Sequence, residues 1–148
     1  MTSSASIAPS GIHHLRLTVT DIARSKAFYT RLLGVEPAIE FTDRADEPGA
    51  REDRGRFYGG CVYAFGGNLL GLRPVAPSGD SFDSTRVGLD HVSLGVASVD
   101  ALNAAAAALD EAGVEHGTVD ALEGTGLVSL SVPDPDGINL ELVAPAAE

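Results

Sequence analysis

Two histidines and one glutamate are the residues whose types and setting could do chemistry. His14 sits in Ile12-His-His-Leu-Arg-Leu-Thr-Val19, His91 in Leu89-Asp-His-Val-Ser-Leu94, and Glu141 between Leu140 and Leu142. All three lie in stretches where apolar and polar residues alternate, the period of a half-buried strand. A carboxylate between leucines is costly to bury unless something pairs with it. Two imidazoles and one carboxylate converging from three strands form the facial set that holds a divalent metal with positions left open. Three protein ligands leave water or substrate to complete the shell, which chemistry requires and a purely structural site does not. Imidazole with carboxylate suits Fe, Mn, Ni and Zn alike. The plainer reading is that all three are hydrogen-bonded polar residues with no metal.

The elements that must position them occur twice. Gly11–Val19 reads as a strand with Leu15, Leu17 and Val19 on one face and His14, Arg16 and Thr18 on the other. Thr20-Asp21 caps a helix running to about Leu33, with Ile22, Ala27, Phe28, Leu32 and Leu33 on its apolar flank and Gly34 ending it. Residues 41–56 are charged and without period, and are expected to form a long mobile loop. Strands near 58–65 and 68–74 turn at Gly66-Gly67-Asn68. Gly88–Val96 then matches Gly11–Val19 position for position, with His91 on His14. Ser98 opens a second helix through Ala112, burying Val99, Leu102, Ala106 and Leu109, with Gly113 as its stop. Strands follow near 114–118, 127–132 and 138–143, the last two joined by Pro133-Asp-Pro-Asp-Gly137. Gly67–Leu72 matches Gly137–Leu142, so Gly71 falls on Glu141.

Each half is therefore β-α-β-β-β, an α+β unit used twice. The expected organisation is a disordered tail at 1–10, a first βαβββ module at 11–75, a linker at 76–87 and a second βαβββ module at 88–145, together one domain. One helix covers one sheet face. The other face, carrying His14, His91 and Glu141, must be covered by the other unit's sheet or enclose a cavity.

Composition removes several classes of function. Ten Lys and Arg against 21 Asp and Glu give a net charge of −11. That disfavours nucleic acid, which needs a basic footprint, and an anionic membrane surface. It weakly favours neutral or cationic small ligands, although its plainest effect is solubility. No apolar run approaches the ~20 residues that span a bilayer. Residues 1–10 lack the pattern of a secretory signal. The single cysteine, Cys61, excludes an internal disulfide and fits a reducing cytoplasm; it reads as a small buried hydrophobe.

With these motifs in view, the chain resembles the vicinal oxygen chelate superfamily, which includes glyoxalase I, extradiol dioxygenases, methylmalonyl-CoA epimerase, fosfomycin-resistance transferases and bleomycin-resistance proteins. The residues carrying the likeness are His14–Asp21, Ser25–Gly34, Leu89–Leu94 and Val132–Leu142. The resemblance implies two βαβββ modules forming a cupped mixed sheet with helices outside, the glyoxalase/bleomycin resistance/dioxygenase fold. It implies metal ligands on the first and last strands of each module, hence His14, His91 and Glu141 for a divalent Fe, Mn, Ni or Zn ion. It further implies a small oxygen-rich substrate chelated to the metal, a lyase, isomerase or dioxygenase type of reaction, and a homodimer. The fourth ligand of glyoxalase I would fall on Gly71, which has no side chain. The Tyr of the extradiol signature falls on Ser131, and no His lies in 117–130.

Strand parity suggests supporting roles. Arg16 and Thr18 would line the cavity beside His14, and Ser93 beside His91. Arg73 shares the face of Gly71, and Tyr63 would present its hydroxyl from the neighbouring strand. Arg16 or Arg73 would orient an anionic or enolate oxygen, and Tyr63 would act as general acid. His13 has the opposite parity and reads as supporting at best; His116 reads as solvated. The alternative function is a metal-free protein that binds and sequesters an antibiotic, as bleomycin-resistance proteins do, with the acidic charge suited to a cationic drug.

Overall fold

Alternation of Leu15 and Leu17 with His14, Arg16 and Thr18 produces the first strand, β1 (His14–Thr18), in the computed structural model of the protein, which describes residues 4–146. Residues 4–10 adopt neither helix nor strand; the first three residues of the expected tail lie outside the described residues. The chain divides into two compact units, Met1–Ser78 and Gly79–Glu148.

In the first unit β1 leads into helix α1 (Ile22–Leu33). Asp21 caps it, its side chain accepting from Arg24 N at 3.2 Å, and Gly34 ends it in the left-handed conformation (φ 70°). β2 (Ile39–Glu40), β3 (Cys61–Phe65) and β4 (Asn68–Arg73) follow. The sheet order is β1-β4-β3-β2, with β1 parallel to β4 and the rest antiparallel. Leu17, Val19, Ile22, Tyr29, Cys61, Tyr63, Leu70 and Leu72 form the core under α1. Each large apolar side chain so buried contributes about 1.5–3 kcal/mol. The buried stripe of α1 is Ile22, Ser25 and Tyr29, spaced three and four apart. Ala27 is exposed and Phe28 half-buried, one position off the expected flank; Phe28 instead sets its ring edge against Tyr29.

The second unit repeats the plan with β5 (Val92–Gly95), α2 (Val99–Glu111), β6 (Val119–Leu122), β7 (Leu127–Ser131) and β8 (Leu140–Pro145). Its sheet order is β5-β8-β7-β6, with β5 parallel to β8. Ser98 caps α2 by accepting from Ala101 N at 3.1 Å. Leu102 and Leu109 pack onto a sheet face that buries Leu130, Leu140 and Leu142. The turn before β8 is locked by buried Asp134, which accepts from Asp136 N at 2.9 Å and Ile138 N at 2.8 Å, while Gly137 takes φ 80°. That turn fixes where Glu141 emerges.

Two segments depart from expectation. The strand expected at 114–118 lies at β6 instead. Gly117 N is drawn to Ser131 O at 2.8 Å just before the β6–β7 ladder begins. Residues 41–60 are a chain of 3₁₀ turns (Thr42–Arg44, Ala50–Glu52, Arg54–Gly59) stitched by backbone hydrogen bonds, and they take in residues 58–60 from the expected third strand. Among the described residues no helix is long and apolar enough to cross a membrane.

Candidate functional site

The second unit brings two of the three candidate ligands together. His91 immediately precedes β5, and Glu141 sits on the adjacent strand β8, in register with Ser93. His91 Nε2 lies 3.4 Å from Glu141 Oε1. On the other side of the ring, His91 Nδ1 is 2.6 Å from Asp90 Oδ1. The imidazole is thus held between two carboxylates, and its pKa is raised, chiefly by the Asp90 hydrogen bond, which outweighs the lowering from burial, with the charge of Glu141 adding a smaller upward push. Glu141 is only 21% exposed. His91 is its partner, which answers the cost of placing a carboxylate between leucines.

In the first unit His14 stands at the start of β1 with its ring set edge-on to His13 at 5.2 Å. Their Nδ1 atoms are 3.0 Å apart, so one ring donates and the other accepts. His13 and Asp90 hold equivalent positions in the repeat. In both halves the residue just before the histidine occupies Nδ1 and leaves Nε2 as the nitrogen available to a ligand. Outer partners of this kind fix the tautomer and orientation of a metal-binding imidazole. The donor set therefore fits a divalent ion. Among the described residues, however, no three His, Cys, Asp or Glu side chains form a group that would hold one. His91 and Glu141 pair in the second unit, and His14 belongs to the first.

The sheet face around His14 carries the candidate arginines. Arg16 is in register with Gly71, and Thr18 with Arg73. A Cβ on Gly71 would sit 3.3 Å from Arg16 Nε and 3.4 Å from its Cγ, so Arg16 lies across the space a side chain would need. Its guanidinium reaches the ring of Phe57, 5.5 Å from the centroid, and Phe57 in turn stacks on Phe41 at 6.0 Å. Arg73 lies 3.8 Å from the centroid of Tyr58. Phe57 and Tyr58 lie in the Arg54–Gly59 turns, just past the 41–56 stretch that had given no periodic signal, with Tyr58 at the start of the strand expected near 58–65.

Tyr63 corrects the parity reading. It pairs with Leu70 across the β3–β4 hairpin and therefore shares the helix-facing side of the sheet. It is 0% exposed, its hydroxyl donates to Lys26 O at 3.1 Å, and it shares a hydrogen bond with Thr30 Oγ1 at 2.8 Å, both on α1. Burial pushes its pKa up to about 12. A phenol so held does not face the His14 side and is no general acid there. Cys61 is on the same buried side, its thiol pushed up to about 11 by burial, which makes it unreactive. His116 is engaged by Asp110 Oδ1 and Gly117 O, both at 2.6 Å, rather than simply solvated.

The profile of the Glyoxalase/Bleomycin resistance protein/Dioxygenase superfamily matches residues 11–142. No curated protein sequence matches. Among solved structures, a glyoxylase/bleomycin resistance protein/dioxygenase domain from Frankia sp. EAN1pec is 27% identical, covers 93% of each chain and superposes with a TM-score of 0.68. The fosfomycin resistance protein FosX of Listeria monocytogenes is 14% identical over 93% of each chain, with a TM-score of 0.68. A variant of FosX, 17% identical, was crystallised with Mn(II) and a dihydroxypropylphosphonic acid. A glyoxalase/dioxygenase from Nostoc punctiforme is 18% identical, covers 97% of this chain and 99% of its own, and also has a TM-score of 0.68. The FosX and Nostoc likenesses are likenesses of fold.

Proposed function

Because this chain belongs to the Glyoxalase/Bleomycin resistance protein/Dioxygenase superfamily, we propose that it is a divalent-metal-dependent enzyme of lyase, isomerase or dioxygenase type acting on a small oxygen-rich substrate. His14, His91 and Glu141 would hold the ion. The observation that carries this reading is the matched treatment of the two repeat histidines: His13 and Asp90 each occupy Nδ1, and His91 turns Nε2 toward Glu141. A pair of imidazoles serving only to fill a sheet would not need the same nitrogen engaged in both halves.

When bound, the ion would act as a Lewis acid for two neighbouring substrate oxygens. The chain's own residues do the rest. Asp90 fixes the tautomer and angle of His91, and Glu141 supplies negative charge that neutral imidazoles cannot. Arg16 and Arg73 would orient an anionic oxygen. Fe, Mn, Ni and Zn all suit the donor set, and Mn(II) is the ion bound by the FosX variant. We further propose a cytoplasmic location, supported by the single free cysteine, Cys61, and a homodimer, supported by membership of a superfamily whose paired modules often pack across a twofold axis; light scattering that gives a monomer would overturn the dimer.

The test is metal analysis after purification without chelator, followed by calorimetric titration of the wild type, His91→Ala and Glu141→Ala. Stoichiometric metal in the wild type and its loss in both variants is the expected result. A wild type that carries none of the four metals and binds none on titration overturns the proposal. It would leave the sequestering alternative, which the net charge of −11 favours and which titration with a cationic glycopeptide would then examine.

A further inference from the structure

The face of the first unit's sheet turned away from α1 holds two arginines that are matched with rings rather than carboxylates. Acidic residues outnumber basic ones 21 to 10 in this chain. In the neighbouring loop Arg44 and Arg56 find Glu47 at 3.8 Å and Asp53 at 3.7 Å. Arg16 and Arg73 form no ion pair among the described residues; Phe57 and Tyr58 are their partners. Arg73 Nε is buried and has no hydrogen-bond acceptor. A buried charged donor left unsatisfied is costly, and its retention calls for an acceptor that arrives from outside.

The rings do not remove that need. An aromatic ring takes the flat face of a guanidinium, while the N–H groups lie in its plane and stay directed at oxygen acceptors. The fork of in-plane donors matches the two oxygens of a carboxylate. Thr18, in register with Arg73 on β1, adds a hydroxyl to the same face. Gly71 is what lets Arg16 cross toward this place, since a Cβ there would press on its Nε.

The chain also accepts strain to put the rings there. Phe57 and Tyr58 are consecutive bulky residues in the left-handed region, at φ 51° and 58°. Non-glycine residues adopt it rarely, and such strain clusters where a fold presents function. The segment is pinned around them. Tyr58 N donates to Asp53 O at 2.9 Å, and Gly60 packs so tightly on β4 that a Cβ would lie 1.9 Å from Leu72 O. A net charge of −11 repels anions at long range, so a site for one must supply its own local cations.

We propose that Arg16 and Arg73, walled by Phe57 and Tyr58, form a binding site for the carboxylate of a small molecule. This rests on the proposed function in that it names the substrate's charge, which that reading leaves open. The experiment uses the full chain stripped of metal, titrated with benzoate and separately with inorganic phosphate, and followed by NMR of the arginine Nε–H resonances. Benzoate is expected to shift Arg73 and Arg16. Arg73→Gln and Arg16→Gln should each weaken benzoate about tenfold or more, the size of a lost charged hydrogen bond. Gly71→Ala should weaken it too by displacing Arg16, whereas Arg31→Gln, at the exposed end of α1, should not. Benzoate that shifts neither arginine, phosphate that binds as tightly as benzoate, or an equal effect of Arg31→Gln would each overturn the proposal. The wild-type shifts decide the matter even if an arginine variant fails to fold. Because no metal is present, a failed metal site leaves this test readable. Conversely, Arg73→Gln should keep the wild type's metal affinity where His91→Ala loses it.

Discussion

Replacing Asp90 with alanine should weaken divalent metal binding about tenfold at ~pH 8, and the loss should shrink as the pH falls. Loss of an outer hydrogen-bond partner typically costs 10- to 100-fold in metal affinity, as a rule of about that size. Asp90 is 79% exposed, so water screens much of its charge, and what disappears is chiefly the restraint on the ring. That places the expected effect near the lower end. The pH dependence follows from the sign of the His91 shift. Asp90 raises the His91 pKa, so in the wild type protons compete with metal more strongly as the solution turns acidic. The variant loses that competition along with the restraint. The ratio of wild-type to variant affinity should be widest above the raised pKa and narrow below it. Calorimetric titration with Mn(II) across this range measures both quantities, and Asp90→Asn, which retains an acceptor for Nδ1–H, should fall between the two. Equal affinities at ~pH 8, or a ratio that does not change with pH, would refute the reasoning.

Gly60→Ala should destabilise the protein by about 3 kcal/mol or more, because its Cβ would fall 1.9 Å from the backbone oxygen of Leu72, which cannot yield without disturbing β4; a urea melt showing a loss under about 1 kcal/mol would contradict this. Tyr63→Phe should cost about 1 kcal/mol of stability through the lost bonds to Thr30 and Lys26, and leave metal binding unchanged. A drop in metal affinity would show that Tyr63 reaches the other face after all. The His116–Asp110 pair should make stability fall as pH rises. Asp110 raises the His116 pKa above its ordinary 6.5, so the contribution is complete below that value and is lost as pH climbs through the folded-state pKa. Asp110→Asn should flatten that part of the Tm–pH curve, and an unchanged slope would count against it.

What could be read from the residues was mostly what the repeat doubled. The equivalence of Gly11–Val19 with Gly88–Val96, and of Gly67–Leu72 with Gly137–Leu142, carried the two βαβββ units, the strand that His91 leads into and the strand that bears Glu141. Tyr63 was misread although the signal was present: a hairpin turning at Gly66-Gly67 pairs Phe65 with Asn68, which puts Tyr63 beside Leu70 and on its face. His13 was read as supporting at best, as its bond to His14 has it, but Asp90 was passed over because parity was applied to residues at the strand's edge, where a side chain can turn toward its neighbour. Phe57 and Tyr58 could not have been found. Nothing local favours a left-handed aromatic pair, and it exists because Gly60 lies against Leu72 and Tyr58 N is tied to Asp53. The β6 strand was misplaced because Val114-Glu-His116 alternates as a strand does, while the antiparallel partner of β7 begins only at Val119.

The parallel pairing of β1 with β4, and of β5 with β8, has a bearing on synthesis. In each unit the first strand made is completed by the last, after about fifty residues of intervening chain, and such non-local ladders form late because loop closure must be offset by contacts already in place. On a ribosome β1 must therefore wait, without its ladder partner, until Arg73 has emerged from the exit tunnel. The first half can then close before the second half's β8 has been translated. A nascent chain halted just short of β4 would expose Leu15 and Leu17 on an open edge, the condition under which strands join the wrong partner.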